Sequence, residues 1–235
     1  MALDIYAGSL TRYYLRDWKN QQQETAEQNG IAYIEIRPGK QDAAPDTTDP
    51  SKFQELILDW RRDLANALEL DLSWSEDPDG EYLSKRISFD SLGALLLWAS
   101  YLEIPSLRND NPDLQNWGDD AAYLEVSNTA SGSAYCHLVQ GTELWLPFQL
   151  DHTLYGPDTT GTDVVIGSAP ELLSQLNHLN QSSWKASPNQ ISNWLQADAL
   201  ETGSEFESLA KFTFAVMQEC TKYAVDKNLP LKLDY

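Results

Sequence analysis

The chain has 235 residues, 36 acidic and 16 basic side chains, and a formal net charge of −20. Hydrophobic residues make up 42%, close to the globular norm of about 45–50%, so the charge does not signal disorder. Two cysteines cannot build a disulfide scaffold. So large a negative charge argues against nucleic acid and against an anionic membrane surface as ligands, since both attract clustered Lys and Arg.

The length falls within the roughly 200–250 residues that one large domain can reach, so a single globular domain over 1–235 is expected. Met1–Tyr6 carries an acid at position 4 and neither a basic nor a long apolar stretch, unlike a signal peptide. The longest apolar run, Leu92 to Leu102, is short of the roughly 20 residues a membrane span needs. A soluble cytoplasmic protein is therefore expected, with Cys136 and Cys220 as reduced, buried thiols.

Leu3, Ile5 and Ala7 alternate with Asp4 and Tyr6, which predicts a strand over 3–9. A helix follows over 13–29, ended by Gly30, with a polar stretch (Gln21 to Glu24) on the surface. Ile31 to Ile36 reads as a strand, giving a β-α-β opening whose parallel strands should cross over right-handed. Residues 38–48 form a Pro, Gly, Asp and Thr-rich loop. Asp49-Pro50 starts a helix to Glu69, because Asp caps and Pro at the first helical position loses no hydrogen bond. Phe53, Leu56, Ile57, Trp60, Leu64, Ala67 and Leu68 make its apolar stripe.

Pro78-Asp79-Gly80 is a turn. Asp90 caps a helix over 91–102 that is apolar on every side and therefore central. Residues 104–120 form a long acidic loop. Residues 134–139 and 142–148 flank Gln140-Gly141 and predict a hairpin. Val164 to Ile166 is a strand, Ser168-Ala169-Pro170 opens a helix to 180, and Ser187-Pro188 opens a short one. A long helix over 205–228 and a strand over 230–234 complete an α+β (mixed α/β) chain: a small mixed sheet packed by five to six helices.

No recognised catalytic or cofactor motif is present, and no cofactor is expected. Neither a GxxxxGK[ST] nor a GxGxxG loop follows a strand. His137, His152 and His178 lie 15 and 26 residues apart, with no HExxH or CxxC to place two metal ligands on one face. Asp77, Asp79 and Glu81 surround Gly80, but position six of a calcium loop would be Tyr82, so the stretch reads as a solvated turn. No GxSxG elbow is present, and Asp151-His152 is the one acid beside an imidazole. Eight tryptophans would suit a sugar platform, but Trp60, Trp98 and Trp194 sit on apolar stripes that suit a core.

The informative feature is where the charge lies. Residues 1–86 hold ten of the basic side chains and the last 25 residues hold four. Residues 87–210 contain 16 acids against two bases, Arg108 and Lys185, a balance of −14. Within them Asp110, Asp113, Asp119 and Asp120 surround Trp117, flanked by Glu103 and Glu125. An aromatic ringed by carboxylates suits a protein-binding patch, because Trp is enriched at hot spots and charge complementarity speeds association. The expectation is an acidic module that masks a basic partner protein, such as a bacterial immunity protein against a cationic toxin. Solubility alone is the competing explanation of the charge. The alternative function is an enzyme of an unsignatured class, a hydrolase using His152 or His137 with a carboxylate.

Overall fold

The structure is a computed structural model describing residues 2–32, 49–128, 132–196 and 205–234. Alternation makes β1 (Ala2–Ala7) a strand with two unlike faces. It joins β2 (Leu83–Ser88), β3 (Thr142–Leu146), β4 (Leu154–Pro157), β5 (Asp163–Ser168) and β6 (Leu231–Asp234) in one mixed sheet of order β2-β1-β6-β3-β5-β4. Both neighbours of β1 are antiparallel, and β3 and β5 form the parallel pair. The first and last strands are thus hydrogen-bonded to each other, with Asp4 opposite Asp234.

Among the described residues the helices are α1 (Leu10–Leu15), α2 (Gln21–Gln28), α3 (Pro50–Leu68), α4 (Phe89–Glu103), α5 (Ala121–Asn128), α6 (Cys136–Val139), α7 (Ala169–Ser182), α8 (Pro188–Trp194) and α9 (Phe206–Lys227). The inward residues Leu3, Ile5, Ala7, Ile87, Trp145, Leu231 and Leu233 pack with α4, α7 and α9 in the main core. Every residue of α4 from Ser91 to Tyr101 is buried, as its all-round apolar sequence requires. On the other face Leu144, Leu146, Val164 and Ile166 pack against Leu10 of α1 and Ile57 of α3. Each such large apolar side chain contributes about 1.5–3 kcal/mol on burial. The architecture is α+β in a single domain, and no helix among the described residues is long and apolar enough to cross a membrane.

Several expectations need correction. The helix over 13–29 is two helices: Arg16 adopts the left-handed conformation after α1, and Asn20 opens α2 with a reciprocal capping box to Gln23. β1 has no parallel neighbour, because the antiparallel strands β2 and β6 occupy both of its edges. Ile31 and Ala32 are not in a strand, and the rest of that expected strand, with the 38–48 loop, lies outside the described residues. The hairpin over 134–148 is also absent. Cys136 to Val139 are all buried and form a helical turn, α6, before β3. The Val139 N–H donates to the Tyr135 carbonyl at 2.9 Å and the Gln140 N–H to the Cys136 carbonyl at 3.3 Å, the i to i−4 bonds of a helical turn. Ser88, not Asp90, caps α4. β2, β4 and α5 have no counterpart in the sequence reading.

Candidate functional site

The acidic segment runs from the end of α4 into α5, and each of its candidate residues has a distinct place. Arg108 stacks over the Trp98 ring, 5.1 Å from its centroid, and lies 3.6 Å from Asp110. The Asp110 side chain is 97% exposed. Asp113 is exposed and accepts hydrogen bonds from the Gln115 N–H (3.0 Å) and the Asn116 amide (2.9 Å). The Asn116 bond is the leading cause that holds its carboxyl below the ordinary Asp value. Asp119 ends a 3-10 turn over 117–119 and is exposed.

Asp120 is half-buried and structural. It accepts from the Ala122 N–H at 2.9 Å, satisfying an amide of the first turn of α5, and from the Tyr101 hydroxyl at 2.7 Å. Burial first, then this carboxylate, pushes the Tyr101 hydroxyl up.

Trp117 faces inward. Its ring lies 5.2 Å from Phe89 and 5.0 Å edge-on from Tyr123, with Nε1 buried and unpartnered. Gly93 makes the space: a β-carbon there would sit 2.1 Å from Cδ1 of Trp117. The sequence signal for this was the glycine itself, since Gly inside an apolar helix marks a close approach. The fold thus places Asp110, Asp113 and Asp119 outward and turns Trp117 and Asp120 inward. Two exposed leucines, Leu107 at 40% and Leu124 at 45%, share the acidic segment. Neither was singled out in the sequence.

The histidines lie elsewhere. His137 is fully buried on α6, and its Nδ1 accepts the Ser168 N–H at 3.1 Å. Burial is the main cause that lowers its pKa from 6.5, so the ring is neutral at pH 7. His152 is exposed, and His178 is exposed on α7. A hydrolytic dyad would need an accessible imidazole held by a carboxylate, whereas the His137 ring accepts from the Ser168 N–H and its main chain bonds the Gln175 and Trp145 side chains. Among the described residues no group of three His, Cys, Asp or Glu side chains could hold a metal ion.

Sequence reasoning also missed a buried polar layer on the second face of the sheet. Arg86 grips Asp4 with two hydrogen bonds of 2.6 Å, and both side chains are nearly buried. Tyr13 donates to Asp234 at 2.7 Å, and the Lys232 ammonium sits over the Tyr13 ring at 5.5 Å. Two carboxylates face each other across β1 and β6, which would repel if left bare. Arg86 and Tyr13 offset that repulsion, so the layer ties the chain's two ends together. No family model matches the chain, and neither does any curated protein or solved structure.

Proposed function

We propose that the chain is an acidic, cytoplasmic protein-binding module whose 103–125 segment masks a cationic partner protein. An immunity-type inhibitor of a basic toxin is the most concrete form. The observation that carries the reading is the outward placement of Asp110, Asp113 and Asp119, with Arg108 the one cation in the sequence from 103 to 125. That cation, Arg108, is already stacked on Trp98 and paired with Asp110. Trp117 enters as the brace that fixes the loop on α4, while Leu107 and Leu124 supply exposed apolar surface in the same segment. An apolar contact among carboxylates is the combination that gives a charged partner both a fast approach and a slow release. Both cysteines are unpaired and buried, in keeping with a reducing compartment.

The test is a pull-down from the source organism at low salt with the tagged full chain, against an Asp110→Lys/Asp119→Lys variant. These two side chains do not cap or brace the fold, so the variant should fold normally. The expected result is a basic protein retained by the native chain, released by about 0.5 M salt and absent from the variant. Equal retention by both chains, or no basic protein at all, would refute the proposal.

A further inference from the structure

The corner where α6 meets α7 carries a device independent of the acidic segment. His137 joins four parts of the molecule there. Its backbone N–H donates to Oε1 of Gln175 on α7 at 3.0 Å, and its carbonyl accepts from Nε1 of Trp145 on β3 at 2.7 Å. Its Nδ1 accepts the N–H of Ser168, the residue whose hydroxyl caps α7 by accepting from the Glu171 N–H at 3.1 Å. Its Nε2 is buried without a close partner and turns toward the backbone of Leu150 and Asp151 in the loop over 147–153.

An accepting Nδ1 requires the neutral ring with its proton on Nε2. A second proton would have to sit on Nδ1 and point at the Ser168 N–H, a donor against a donor. The bond to Ser168 must then break, and a fully buried charge remains to be solvated. Burial outweighs the backbone of Leu150 and Asp151, which favours the charged ring. His152 on the loop acts to disfavour the charge, while Asp151 beside it is exposed. On α7 Glu171 accepts from the Gln149 amide, and on α4 Glu103 accepts from the Ser133 hydroxyl. Asp90 at the start of α4, Glu143 on β3 and Glu125 on α5 complete the carboxylates on the elements packed against α6. Among the described residues none of them pairs with the ring.

We propose that His137 is an acid-released latch: its neutral imidazole holds α6 to the start of α7, and protonation lets this corner open while the sheet stays closed.

Amide hydrogen exchange of the full chain between about pH 7.5 and about pH 5.5 tests this, after correction for intrinsic rates. Peptides from 132–153 and 168–176 should lose protection below about pH 6.5, by up to about tenfold per pH unit, while β1 and β6 peptides stay constant. His137→Asn keeps an acceptor near the Nδ1 position but cannot titrate, so it should abolish the pH dependence. His152→Ala should leave that dependence in place. Constant protection at this corner, a uniform loss over the whole chain, or the same response in His137→Asn would overturn the proposal. So would a response that His152→Ala removes. If His137→Asn does not fold, an NMR titration of the native ring decides. A His137 that gains its proton with no matching loss of protection at 168–176 would also overturn it.

Discussion

Asp4 shows how far a single residue could be read in advance. Its alternation with Leu3 and Ile5 was legible, and so was its place on the far face of a strand. Its partner was not, because Arg86 lies 82 residues away and arrives only through the pairing of β1 with β2. The bidentate pair is nearly buried, so removing one partner strands the other. Asp4→Asn should lower unfolding free energy in urea by about 3–5 kcal/mol, whereas Asp4→Leu with Arg86→Met should lose much less. Glu76 tests pH dependence with the opposite sign to His137. It is buried and accepts from the Thr11 N–H (2.7 Å), the Thr11 hydroxyl (2.9 Å) and the Trp74 indole (2.5 Å). Burial nevertheless raises its pKa above 4.5. A raised folded value means that its favourable contribution is complete below the unfolded value and fades as pH rises through the folded one. Glu76→Gln turns an amide toward these donors and should destabilise. The deficit relative to the native chain should be largest near pH 4.5 and narrow as pH rises toward neutrality, as followed by urea unfolding at several pH values.

At the scale of elements, capping chemistry was the most legible signal. Asp49-Pro50, Ser168 and Ser187 start α3, α7 and α8 as their sequences predict. One cause of the failures is that short apolar stretches do not reveal their period. Cys136 to Val139 fit a strand or a helical turn equally well until the hydrogen bonds from Val139 to Tyr135 and from Gln140 to Cys136 decide. Arg16 broke the first helix through a left-handed residue with no glycine to announce it. The acidic loop was legible as a loop, but its seating depends on Gly93, whose missing β-carbon admits Trp117. Gly93→Ala should therefore destabilise by about 1–3 kcal/mol in urea unfolding, although Ala is the better helix former by about 1 kcal/mol. Gly118→Ala, with no atom within 4 Å of its β-carbon position, is the control and should change stability by less than about 0.5 kcal/mol.

For the whole molecule, the charge of −20 resolves into parts with different duties. Asp158 is buried and holds the β4–β5 turn through the Thr160 and Thr162 amides and the Tyr14 hydroxyl. Asp4 and Asp234 tie the chain's ends, and Asp120 anchors α5. What remains outward on the α4–α5 connection is Asp110, Asp113 and Asp119, and these carry the proposed function. Sequence arithmetic located the acidic segment, but only the fold separates carboxylates used for structure from those that face solvent. The most direct test is the association rate with the captured basic protein, measured by stopped flow from about 0.02 M to about 0.5 M salt. Electrostatic steering predicts a fall of about tenfold or more for the native chain, and a slower, nearly salt-independent rate for Asp110→Lys/Asp119→Lys. A native rate that stays flat across that range would contradict the account.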